Sequence, residues 1–182
     1  MAETIVFLIG SCGFILLSRQ AFRRLNSHGF PRFFAFEALL GMAVLNARFW
    51  FLQPDSPLQI ISWILFVLAI YLAIHSFWSL RKYGAPDQYT KDSDRIGIEK
   101  TTRLVKDGPY RVIRHPMYAS LLCLTGGILF KHIDLISILL AIIAGLTIFL
   151  TAVYEEKENL YYLGDEYASY MRRTKRFIPY IF

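Results

Sequence analysis

Cysteine is nearly absent: Cys12 and Cys123 are the only two in 182 residues, and each falls inside an apolar run. Two such thiols exclude a disulfide framework or a cysteine-built metal centre and read as small packing residues. The chain also lacks a Gly-x-Gly-x-x-Gly turn after a strand. Gly10, Gly13, Gly126 and Gly127 all lie in apolar stretches, so no Rossmann-type nucleotide domain is expected. The N-terminus has no basic leader region. Its only early charge is Glu3, and arginines, not a small-residue cleavage site, follow the first apolar run, which is therefore expected to remain as a membrane span. No internal repeat, low-complexity segment or metal-ligand spacing is present.

What the chain has in abundance is apolar length. It is 55% hydrophobic and 16% aromatic, with a mean hydropathy of +0.39. A bilayer crossing takes about 20 apolar residues as a helix. Five runs approach that length: Thr4–Ser18, Phe33–Leu52, Leu58–Leu80, Met117–Phe130 and Leu135–Tyr154. The first and fourth are short and need snorkelling ends or local thinning. The expectation is one all-α integral membrane domain over 1–182, with three spans in 1–80 and a second part in 81–182.

The basic residues are distributed unevenly. With an outside N-terminus, Arg19, Arg23, Arg24 and Arg32 fall in a first inner loop. Nine more fall between Arg81 and Arg114, and Lys157, Arg172, Arg173, Lys175 and Arg176 fall in the C-terminal segment. That puts 18 of 20 Lys/Arg inside, with Lys131 outside and Arg48 within a span. The asymmetry predicts five spans, a cytoplasmic C-terminus and a prokaryotic inner membrane as the setting. The net charge of +6 then needs no nucleic acid, because anionic membrane lipid is a sufficient partner.

Short outer links, Gln53–Pro57 and Lys131–Asp134, leave all the length on the inner side: the loop Arg81–Tyr110 and the polar segment Glu155–Phe182. Any chemistry is expected there. Within the spans, Glu37 and Arg48 share a helical face eleven positions apart, too far to pair directly, and His75 sits near the inner end of span three. Snorkelling or packing is the simpler reading of each. In the C-terminal segment Leu160, Leu163, Tyr167, Tyr170 and Met171 recur at helical spacing, and Gly164-Asp165 interrupts them, so two short helices are expected. The apolar end Phe177–Phe182 is expected to dock.

The densest stretch is Gly108-Pro109-Tyr110-Arg111-Val112-Ile113-Arg114-His115-Pro116-Met117-Tyr118. Pro116 suits the first position of a helix, whose free N–H groups and dipole would face Arg114 and His115. Such a corner can take an anion. It can equally hold two side chains that reach to lipid headgroups.

These pieces, in order, resemble the isoprenylcysteine carboxyl methyltransferases and the related phospholipid N-methyltransferases, which are integral-membrane enzymes. The matching residues are Leu104-Val105-Lys106-Asp107-Gly108-Pro109-Tyr110, Arg114-His115-Pro116-Met117-Tyr118, Glu155-Glu156, Gly164-Asp165-Glu166-Tyr167, Tyr170 and Ile178-Pro179. Ser120 stands where the family commonly has glycine, and Asn159 or Leu160 where a leucine is usual. The resemblance implies S-adenosylmethionine as cofactor, under a lid made by the inner loop and the C-terminal segment. It implies cofactor contacts from Leu104, Val105, Gly108, Tyr110, His115, Pro116, Tyr118 and Tyr167, and chemistry at Arg114, Glu155 and Glu156. The acceptor would be lipid-like or prenylated: a carboxylate oriented by Arg114 in the first instance, or a phospholipid amine deprotonated by Glu155 or Glu156. A sterol-reductase relative using NADPH and a non-catalytic membrane protein are the competing readings.

Overall fold

The computed structural model describes residues 2–23, 26–84 and 103–181. Among these described residues are five apolar helices: α1 (Ala2–Ser18), α2 (Gly29–Asn46), α3 (Pro57–Tyr83), α4 (Pro116–Leu129) and α5 (Leu135–Arg173). Short 3₁₀ turns at Ala21–Arg23, Ala47–Phe49 and Gly108–Arg111 join them. No strand occurs among the described residues; a single parallel bridge ties Ile113 to Lys175. The fold is the expected all-α membrane bundle. Gly29–Phe49, Pro57–Tyr83 and Leu135–Arg173 are long and apolar enough to cross a bilayer, while α1 and α4 are shorter apolar helices. Arg24, Lys91, Arg95 and Lys100, with most of the expected inner loop, lie outside the described residues.

Local chemistry starts and stops these helices. Ser56 caps α3 by accepting the Gln59 N–H at 3.3 Å, with Pro57 in the first turn. Asp134 caps α5 by accepting the Ser137 N–H at 2.7 Å. Neighbouring helices run antiparallel, so the starts of α2 and α4 and the polar half of α5 share one end with the C-terminus of α3. Ala35, Ala38, Ala144 and Ala152 are buried and let α2 and α5 approach closely. One apolar core contains Ala35, Ile113, Tyr118, Ala119, Ile148, Ala152 and Phe177; a second contains Ala38, Leu39, Met42, Phe66, Ile128 and Ala144. Large apolar side chains such as Leu16, Val67 and Leu135 are about two-thirds or more exposed, at 69%, 67% and 71%. Contiguous faces of that kind meet lipid.

The far end departs from expectation. Lys131, expected as an outer loop cation, is buried. Its Nζ donates to Gln59 Oε1 at 2.8 Å and to the Trp50 carbonyl at 3.2 Å, and lies 3.7 Å from the Trp63 ring centre. Asn46 Nδ2 donates to the Ile128 carbonyl at 3.0 Å beside it. Burial lowers the pKa of this ammonium, and the carbonyl oxygens and ring face replace part of its lost water. Glu37 accepts the Ser11 hydroxyl at 2.6 Å across α1 and α2, and Arg48 stacks over Phe49 at 4.7 Å. His75 binds the Tyr71 carbonyl of its own helix on an exposed face, instead of packing inside.

Candidate active site

The stretch before α4 is shaped by one glycine. Gly108 has φ +61, and a Cβ there would strike Ser79 Oγ of α3, so only glycine lets this turn lie against that helix. Leu104 and Val105 lead into it, Val105 buried and Leu104 half-buried. The chain then straightens and pairs with the C-terminal tail. The Lys175 N–H donates to the Val112 carbonyl at 3.1 Å, and the N–H groups of Arg114 and His115 donate to the Lys175 and Arg176 carbonyls at 2.7 and 3.1 Å. Pro116 opens α4 immediately after.

Glu156 is the centre of this end. It accepts Arg114 Nε at 2.7 Å, Arg176 Nη2 at 2.6 Å and Arg176 Nε at 3.2 Å, and His115 Nε2 lies 3.3 Å away. Its side chain is 5% exposed. Burial works to raise its pKa, but hydrogen bonds from His115, Arg176 and Arg114 outweigh it and hold the carboxyl well below the usual carboxylate range. Arg114 Nη1 also donates to the Met171 carbonyl at 3.2 Å and to the Thr174 carbonyl.

That last pair of contacts settles the shape of the C-terminal segment. Glu156 and Thr174 are eighteen residues apart, roughly 27 Å along a straight helix. One guanidinium touches both. The chain must therefore double back, and it does so at Gly164, where φ is 52 and ψ is −130. The two expected helices are the two arms of that reversal. The returning arm buries Tyr167 and Tyr170. Tyr170 donates its hydroxyl to the Tyr110 carbonyl at 2.6 Å, pinning the arm to the 3₁₀ turn.

Glu155, one residue earlier, points elsewhere, as helix geometry requires of adjacent positions. It accepts the Tyr118 hydroxyl at 2.5 Å, lies 4.0 Å from His115 Nδ1, and its side chain is 23% exposed. The His115 ring stacks beside Tyr118 with centroids 5.4 Å apart. The imidazole thus faces two carboxylates. Tyr167 is hydrogen-bonded to Asn159, and burial together with the Glu155 charge pushes its pKa up, so its hydroxyl stays neutral.

The structure brings Arg114, His115, Tyr118, Glu155 and Glu156 into direct contact, with Tyr110 joined through Tyr170. It also adds groups that the motifs did not point to. Arg176 and the Thr174 carbonyl come from the tail. The start of α2 supplies His28 and the buried Arg32. The His28 N–H and Nδ1 reach Glu158 at 3.1 and 2.8 Å. Burial lowers the His28 pKa, but Glu158 and the Glu155 charge more than compensate and raise it. One cue was available: Glu155 and Glu158 are three residues apart, hence on one helix face, while Glu156 is turned away from it.

The matched family is Phospholipid methyltransferase, over residues 58–164, more than half of the chain. The chain belongs to the phospholipid methyltransferase family. No curated protein and no solved structure matches it. The family's matched region covers α3, the Arg114 corner, α4 and the outgoing arm of α5. His28, Arg32, Tyr167 and Arg176 lie outside it, so Arg176, one of the two guanidiniums that hold Glu156, comes from chain that the family match does not reach.

Proposed function

We propose that the protein transfers a methyl group from S-adenosylmethionine to an amine carried by a membrane lipid, with Glu155 as the base. The division of labour in the acidic pair carries this reading. Glu156 is held ionised by two arginines and a histidine, so it organises the site and does not exchange protons. Glu155 is partly open, oriented by the Tyr118 hydroxyl, and one residue away. The carboxylate acceptor first implied by the resemblance would need Arg114 as its orienting donor. Arg114 already spends Nε and Nη1 on Glu156 and two carbonyls, which favours the amine.

The residues suit such a cofactor. Tyr118 and Tyr167 offer ring faces and Glu155 a negative charge for a sulfonium, and the dipole at the start of α4 favours the cofactor's carboxylate. The bound cofactor would supply an electrophilic methyl. Leu104, Val105, Gly108 and Tyr110 would border it from the turn, with Pro116 fixing the start of α4. His115 would act through its contact with Glu156. Glu155 removes the proton that the attacking amine must lose. The returning arm of α5 covers the site and excludes water while donor and acceptor are aligned. This end of the bundle would face the cytosol, as the basic residues predict, so a water-soluble cofactor reaches it while the lipid stays in the membrane.

The test is to incubate purified protein with methyl-labelled cofactor and a membrane lipid extract. Label should enter an amine-bearing lipid in a form stable to alkali. Label released by mild alkali would be a methyl ester and would establish the carboxylate reading. Binding of NADPH with no labelled lipid would point to reductase chemistry.

A further inference from the structure

Outside the acidic site, on the other face of the bridge between Ile113 and Lys175, lies a cavity of about 280 Å³ lined by Arg111, Val112, Arg173, Lys175 and Tyr180. Three cations converge on it from three pieces of chain: the 3₁₀ turn, the end of α5 and the tail. None of the three forms an ion pair with a described residue, in contrast to Arg114, Lys106 and Arg176 nearby. Bringing like charges together without a counterion is unfavourable unless something outside the protein supplies the negative charge. The neighbours of the cavity indicate what that is. Ile178, Tyr180 and Ile181 are 51%, 84% and 76% exposed, an apolar and aromatic edge beside a cationic pocket. Cations beside an interfacial tyrosine are the pattern of a lipid headgroup site.

We propose that this cavity binds the headgroup of an anionic phospholipid, separately from the methyl acceptor, and that the bound lipid holds the C-terminal tail closed over the acidic site. A free phosphate would satisfy the cations but not the apolar edge. The connection to the site is short. Lys175 lies between Thr174, whose carbonyl takes Arg114, and Arg176, whose guanidinium takes Glu156. Val112, in the cavity wall, accepts the Lys175 N–H. Whatever fixes Lys175 and Arg173 therefore fixes two of the groups that hold Arg114 and Glu156. The effect on turnover rests on the methyl-transfer reading; the binding itself does not.

The experiment uses the full-length protein in a neutral detergent and a fluorescent short-chain phosphatidylglycerol, with short-chain phosphatidylcholine and inorganic phosphate as competitors. Saturable binding is expected, displaced by unlabelled phosphatidylglycerol and not by the other two at equal concentration. Arg173→Ala with Lys175→Ala should weaken it by roughly 30-fold, from the usual contribution of two basic residues at an anionic lipid surface. Arg172→Ala, which removes the same charge one residue away, should leave it nearly unchanged. Arg173→Lys with Lys175→Arg keeps the charges and should restore most of the affinity, which separates loss of the site from loss of the fold. Equal weakening by Arg172→Ala would mean diffuse attraction and overturn the proposal, as would displacement by phosphate alone. If the lipid binds as expected and no methylated product forms in any lipid mixture, the site stands and the methyl-transfer reading falls.

Discussion

Replacing Glu156 by glutamine tests the division of the acidic pair most directly. The side chain keeps its shape but loses the charge that two guanidiniums share at 2.7 and 2.6 Å. Glu156 and Arg114 are almost wholly buried and Arg176 is about one-fifth exposed. Removing one partner of a buried pair costs about 3–5 kcal/mol because the remaining charge is stranded. The glutamine carbonyl still accepts one hydrogen bond, so the lower value applies. A loss of about 3 kcal/mol raises the open fraction of the tail on the order of 100-fold. Trypsin reads that fraction, since Arg173, Lys175 and Arg176 are cleavable only when the tail leaves the bridge, and cleavage tracks the open population when reclosing is fast. Release of the C-terminal peptide, followed by mass spectrometry, should accelerate by about that factor in Glu156→Gln. Glu155→Gln keeps an acceptor for the Tyr118 hydroxyl and strands no buried guanidinium, so its cost is on the order of 1 kcal/mol and it should change cleavage less than tenfold. Its turnover should fall by a factor of roughly 10²–10⁴, the usual contribution of a general base. Equal cleavage rates for both variants would refute the assignment of Glu156 as the clamp.

Four further expectations follow from the same geometry. Gly164→Ala places a side chain at φ 52 and ψ −130 and should cost about 1–3 kcal/mol, loosening the returning arm in the same tryptic assay. The Glu156 carboxyl titrates below its ordinary 4.5, so its stabilisation is complete above that pH, declines as pH falls, and is lost only in stronger acid; tail cleavage by an acid-active protease should stay slow at pH 5 and rise below 4. His28 is shifted the other way: its pairing with Glu158 is fully present below pH 6.5 and lost as pH rises through its elevated folded value, so hydrogen exchange at the start of α2 should quicken toward alkaline pH, and His28→Gln should abolish that trend. For topology, cysteines introduced at Asp55 and Asp165 in a background lacking Cys12 and Cys123 should react with a membrane-impermeant reagent from outside cells at the first position only.

Length and hydropathy determine the helices. Runs of about 20 apolar residues are most readily satisfied in lipid as helices, so the apolar helices follow from the sequence, as does the proline start of α4, while the caps at Ser56 and Asp134 came only from the structure. The break at Gly164 was legible too, but not its consequence, because a glycine permits many angles and only the contacts of Arg114 with both Glu156 and Thr174 select a full reversal. The adjacency of Glu155 and Glu156 concealed their difference: helix rotation turns one to Arg114 and Arg176, the other to Tyr118. The partnership of His28 with Glu158, 130 residues apart, and the burial of Lys131 under Trp63 leave no local pattern, since each depends on which helices pack together. Local propensity and solvent chose the segments; long-range packing and the pairing of buried charges chose the site.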